Sequence, residues 1–184
     1  MYLRFRDLFV RAGQRSLWVV REDLARQYLV GDGIEIGALT LPLRVPARVR
    51  VRVRYVDRMS RADLLRHDGP ELAASGLDPA SIPEIDVVDR AETLASFADQ
   101  SLDFVIANHV LEHVEDPIGA LENLLRVIRP GGILFLILPD ARHTFDARRP
   151  RTHGRAPHPR PPGGTRRITD GALRGVGAHH RRNP

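Results

Sequence analysis

Residues 102–140 constrain the fold more than any other part of the chain. They open with a short, continuously apolar run, LDFVIA (102–107). After a polar break, Asp116-Pro117 begins a stretch with Ile118, Leu121, Leu124, Leu125 and Ile128 at helical spacing, and Pro117 suits a first helical turn. Arg129-Pro130-Gly131-Gly132 is expected to stop that helix. A second apolar run follows, ILFLIL (133–138), whose lack of any polar alternation predicts a central, buried strand. Strand, helix, strand at this spacing is a βαβ crossover, which predicts a parallel sheet covered on both faces.

The residues upstream repeat the alternation. QRSLWVVREDLARQYL (about 14–29) places Leu17, Val20, Leu24 and Leu29 near one helical face. Gly31-Asp32-Gly33 reads as a turn leading into the short strand Ile34-Glu35-Ile36-Gly37. VRVRVRYVD, ending at Asp57, alternates with period two, so Val49, Val51, Val53 and Tyr55 share a face. Residues 60–76 read as a helical or irregular connection, and Asp86-Val87-Val88-Asp89 as a third short strand. The expected class is α/β, a doubly wound, mostly parallel sheet of about five strands. Ligands of such sheets sit beyond the carboxyl ends of the strands. Function is therefore sought at residues 35–40, 57–59, 86–91, 108–113 and 139–140.

Charge divides the chain unevenly. All 28 basic residues are arginine, and the formal net charge is +5. Residues 1–146 set 18 arginines against 22 acids, a net −4, whereas residues 147–184 set 10 arginines against Asp170 alone, a net +9. That last stretch has six prolines, six glycines and only three of Leu, Ile, Val and Phe, too few to offset the entropy of ordering it. The expected organisation is a helical lead-in over 1–31, a globular domain over 32–146 and a disordered basic tail over 147–184. The absence of cysteine excludes disulfides, thiolate zinc sites and cysteine nucleophiles. No apolar run approaches the roughly 18 residues of a membrane span. A soluble, cytoplasmic protein is expected.

The strand ends carry the candidate chemistry. Gly37 allows the backbone to approach a ligand closely, but the three glycines of a dinucleotide fingerprint are lacking, which disfavours a nicotinamide enzyme. Asp57 lies 20 residues beyond Gly37, where a carboxylate can accept hydrogen bonds from both hydroxyls of a ribose. Asp86 and Asp89 flank the third strand, within reach of an adenine amino group or simply facing water. Asn108 and His109 follow the fourth strand. His113 lies four residues beyond His109, but Glu112 is out of order for a zinc protease, and no metal is expected. Both histidines read as pocket-lining or turn residues, and neither is assigned as a catalyst.

GIEIGALTLPL, then YVDRMS, then LDFVIANHVLEHVEDPIGALENLLRVIRPGGILFLILPD resemble the successive motifs of class I S-adenosylmethionine-dependent methyltransferases. The resemblance covers about residues 28–146. It implies a Rossmann-like sheet, with S-adenosylmethionine as cofactor and an unassigned methyl acceptor. Glu35 and Gly37 would lie beside the methionine end, Asp57 on the ribose, Asp89 and Ala91 toward adenine, and Asn108 beneath the sulfonium. Ala38, Arg58 and His109 complete the implied cofactor-binding set. The departure is at Ala38 and Leu39, where many members continue with glycines.

Such enzymes usually have seven strands and this sequence supplies five, so the C-terminus is expected to be truncated or frameshifted and the product inactive. Residues 154–164 admit synonymous codons whose next frame encodes an amphipathic helix. The rival reading is a noncatalytic nucleic-acid or interaction module acting through the arginine-rich tail. The tail lacks the interleaved aromatics that would favour nucleic acid.

Overall fold

A computed structural model describes residues 17–45, 50–140 and 142. The expectations for residues 1–16 and for 147–184, including the disorder, altered frame and nucleic-acid binding of the tail, lie outside these residues. Helix α1 (Leu17–Tyr28) leads into β1 (Gly31–Ile36), and β2 (Val51–Asp57) follows. Two short helices, α2 (Arg61–His67) and α3 (Gly69–Ala74), occupy the connection to β3 (Val87–Val88). Then come β4 (Leu102–Asn108), α4 (Pro117–Val127) and β5 (Ile128–Ile137). The strands pair in the order β3-β2-β1-β4-β5, and every pair is parallel. The order reverses between β1 and β4, the place where open α/β sheets bind ligands.

Side-chain alternation divides each strand between two cores. Ile34, Ile36, Val56, Val105 and Ala107 face α4, packed against Ala120, Leu124 and Val127. Phe104, Ile106 and Phe135 face α1, packed against Ala25, Leu29 and Leu43. A third cluster, Leu64, Leu72 and Ile82, seals α2 and α3.

Several local expectations change. Gly31-Asp32-Gly33 is not a turn but the start of β1. Gly31 has φ +89, and the Asp103 carboxylate fills the space a Cβ would need while accepting the Asp32 N–H at 2.7 Å. Arg129-Pro130-Gly131-Gly132 lies inside β5: the helix stops at Val127, and the strand begins at once through a register irregularity opposite Leu102 and Phe104. Gly131, at φ +81, absorbs the irregularity, and Gly132 leaves room for the Asp103 carbonyl. β5 is an edge strand among the described residues, paired with β4 alone, not a central one. The buried stripe of α4 runs through Ala120, Leu124 and Val127, while Ile118 and Leu125 are exposed on its flank. On α1, Ala25 is buried, as is Leu29 just beyond its end, whereas Val20 and Leu24 face outward.

Candidate functional site at the carboxyl ends of the strands

The pairing register brings the strand ends together. Ile36 sits opposite both Val56 and Ala107, so the next residues, Gly37, Asp57 and Asn108, align at the carboxyl end of the sheet. All three continue the alternation of the α1-facing side, with Glu35 two residues below Gly37. Gly37 has φ +63, a conformation that favours glycine, and its N–H donates to the Val56 carbonyl at 3.0 Å. A Cβ at this position would meet nothing nearer than Val110 Cγ2 at 3.5 Å, so the backbone dihedral demands glycine here more than space does.

Asp57 is 6% exposed at the end of β2. Burial pushes its carboxyl up from the ordinary range, and the Asp68 charge adds to that, against the pull of the Arg58 and Met59 N–H groups and the Arg58 guanidinium. Arg58 reaches past it to Asp68 at 3.4 Å, and Asp68 also meets His67 Nδ1 at 2.8 Å. Arg58 is therefore tied to α2 and α3, next to Asp57 in sequence.

Asn108 ends β4. Its side-chain Nδ2 and Oδ1 are both buried without a hydrogen-bond partner among the described residues. Buried amides are almost always paired, because an orphaned one costs about 1–3 kcal/mol. An orphan at a strand end is a place where a ligand's polar atoms fit. His109 follows with φ +57; its N–H donates to the Ile137 carbonyl at 2.9 Å, and its Nδ1 meets Glu112 Oε1 at 3.2 Å. Burial works against ionisation of Glu112, but the His109 hydrogen bond, a backbone N–H and the His109 and His113 rings hold its carboxyl low. His113 closes the short turn Leu111–His113.

The third strand end is organised by Asp89. Its Oδ1 accepts the Arg90 N–H at 2.7 Å and the Thr93 hydroxyl at 3.2 Å, and its Oδ2 accepts the Ser96 N–H at 2.7 Å. Despite some burial, those bonds hold its carboxyl low. Asp86 is spent on β2, where Oδ2 accepts the Tyr55 N–H at 2.7 Å. Ala91 is buried in the α4-facing core.

Glu35 is 1% exposed, and burial raises its carboxyl to about 7. Both of its oxygens accept the Leu43 N–H, at 2.9 and 3.0 Å. Ala38 and Leu39 form the loop above, and Leu39 takes φ +44 without being glycine. No group of three or more His, Cys, Asp or Glu among the described residues could hold a metal ion.

Sequence reasoning missed three contributors. Arg21 is half-buried on α1, stacks 4.6 Å over Trp18, and has a buried Nε without a partner. Its spacing of four and eight residues from Ala25 and Leu29 would have placed it on the buried face. The Leu43 N–H had no sequence signal. Neither did Arg126, which binds the loop after β3 from α4.

A family model described as a methyltransferase domain matches residues 37–136. An uncharacterized methyltransferase of Mycobacterium leprae, found alike in strains Br4923 and TN, is 37% identical over 70 residues. That match covers 38% of this chain and 25% of the relative, so the chain spans about a quarter of the length of the curated relatives it matches. Among solved structures, it is similar to a SAM-dependent methyltransferase from Aquifex aeolicus at 15% identity and TM-score 0.42, covering 62% of this chain and 59% of that one. It is also similar to the YcgJ protein of Bacillus subtilis at 18% identity and TM-score 0.43, covering 65% and 48%. No helix among the described residues is long and apolar enough to cross a membrane.

Proposed function

Because the chain belongs to the methyltransferase-domain family, whose methyl donor is S-adenosylmethionine, we propose that it binds this cofactor at the carboxyl ends of β1, β2 and β4 and takes part in methyl transfer. The observation that carries the reading is the Asn108 amide, buried and unpartnered beside Gly37 and in line with Asp57. The bound cofactor supplies a sulfonium whose methyl is already activated for displacement by a nucleophile.

The residues present suit that ligand. The buried Asp57 carboxylate would accept hydrogen bonds from the paired hydroxyls of the ribose. The Gly37 backbone, with Val110 beside it, would border the methionine portion. The Asn108 amide would offer both a donor and an acceptor to polar atoms of the bound cofactor. Asp89 acts on the adenine side by holding the 90–96 turn in shape, and Ala91 is part of the apolar base of that turn. Arg58 braces the end of β2 through Asp68, and His109 braces the end of β4 through Glu112. The protein's share of catalysis is then orientation, holding the nucleophile in line with the methyl group. A nucleophile that arrives unprotonated needs no base. The acceptor is unassigned, and the protein is read as soluble and cytoplasmic.

Calorimetric titration with S-adenosylhomocysteine tests this. Wild type is expected to bind, and Asp57→Ala to weaken binding by about tenfold or more, since a charged hydrogen-bond acceptor is lost. Equal affinity in the two proteins would remove Asp57 from the site.

A further inference from the structure

We propose that Glu35 is a positioning residue: its carboxylate grips the Leu43 N–H from beneath the sheet end and sets the shape of the 37–43 loop, without touching the cofactor. This rests on the reading that the loop borders S-adenosylmethionine. The geometry separates the two roles. Glu35 is two residues below Gly37 on the same strand face, about 6.6 Å down the strand. At 1% exposure, with both oxygens on one N–H, its carboxylate lies below the mouth of the site.

The loop it closes needs such a hold. Gly37 and Leu39 both take left-handed backbone conformations, at φ +63 and +44, and the Leu41 N–H donates back to the Ala38 carbonyl at 3.0 Å. A left-handed leucine is strained and persists only where its surroundings over-determine it. The far end of the loop is fixed by Leu43, whose side chain is buried in the α1-facing core and whose N–H is held by Glu35. Gly37 is held at the near end by the Val56 carbonyl. The segment that would meet the cofactor is thus stretched between two anchors.

The strap also has a charge state. Burial holds the Glu35 carboxyl near 7, so it titrates in the physiological range. The groups facing it are Arg21 on α1, with Glu22 behind it, the Leu43 N–H in the loop and Tyr55 on β2, which also feels Asp86. β4 presents only the apolar Ile106 opposite Glu35. An ionised carboxylate makes hydrogen bonds roughly twice as strong as a neutral one. The strap therefore tightens as pH rises through about 7 and slackens below it.

The test combines amide hydrogen exchange at Leu43 with calorimetric titration by S-adenosylhomocysteine, on the full chain, between about pH 6 and 8.5. In wild type, the Leu43 protection factor, taken relative to that of a core amide such as Ile106, and the ligand affinity should both rise across this range. Glu35→Gln, which mimics the protonated carboxyl, should lose Leu43 protection by about tenfold at high pH, weaken the ligand by a similar factor there, and abolish the pH dependence of both. Protection at Leu43 that is unchanged in Glu35→Gln overturns the proposal, as does lost protection with unchanged affinity. The wild-type pH series decides the matter by itself if the variant does not fold: a flat Leu43 protection factor overturns the strap. Failure of wild type to bind at any pH instead overturns the cofactor reading, whatever Leu43 does.

Discussion

Arg126 Nη2 donates to the main-chain carbonyl of Leu94 at 3.0 Å. Leu94 is fully buried and adopts φ +42, a strained conformation for leucine. The same guanidinium also bonds the Thr93 and Phe97 carbonyls at 3.0 Å, the Asp99 carboxylate at 2.7 Å and Asn123 Oδ1 at 3.0 Å. One α4 side chain thereby fixes the loop that Asp89 folds from its other end.

Replacing Arg126 strips several carbonyls of their donor at once. Arg126→Ala is expected to lower the unfolding free energy by about 2–3 kcal/mol, measured by urea titration. Arg126→Lys should recover little of that loss, because a single ammonium cannot reproduce the planar fork. A lysine variant as stable as wild type would show that charge, and not geometry, holds the loop.

Glu35 should make stability depend on pH in an unusual direction. Its folded value, about 7, lies above its ordinary value of 4.5. The folded state therefore binds the proton more tightly, and its contribution is fully present below about pH 4.5 and lost as pH rises through about 7. The shift corresponds to about 3 kcal/mol. Glu35→Gln should flatten this component of the melting temperature between pH 5 and 8. Identical profiles for variant and wild type would exclude Glu35 as its source.

The strand-end positions of Gly37, Asp57 and Asn108 could be read from the sequence because each closes or follows a short strand pattern, alternating in VRVRVRYVD and continuously apolar in LDFVIA. Their common side of the sheet emerges only from the pairing register and the packing of the strands. The failures share a cause: they concern residues whose state is decided by distant partners. Gly31-Asp32-Gly33 has turn chemistry, yet the Asp103 carboxylate from β4 draws it into a strand. The ILFLIL run is apolar enough for a central strand, but its place in the sheet depends on what pairs beyond it. Ile118 and Leu125 fit the helical period of α4, but the buried stripe is centred on Ala120 and Leu124. The Glu35–Leu43 and Arg126–Leu94 bonds end on main-chain atoms, which leave no trace in side-chain patterns.

Asn108 should trade stability against binding. Its unpartnered amide costs the ligand-free fold, so Asn108→Leu is expected to raise stability slightly, by up to about 1–2 kcal/mol, while weakening S-adenosylhomocysteine about tenfold. Parallel urea and calorimetric titrations would check both. A stabilised variant with wild-type affinity would mean that the amide does not serve the ligand.

Gly37→Ala should impair the site through the backbone. At φ +63 an added Cβ costs about 1 kcal/mol and shifts the start of the loop. Thermal unfolding should register that cost, and cofactor affinity should fall with it. An unchanged affinity would place the loop outside the binding site.

The central claim is that the carboxyl ends of β1, β2 and β4 form one S-adenosylmethionine site. Titrating isotope-labelled protein with S-adenosylhomocysteine and following backbone amide shifts tests it most directly. Saturable shifts are expected to concentrate at residues 37–43, 57–59, 89–91 and 108–110. Saturable shifts located elsewhere, with those four segments silent, would contradict it.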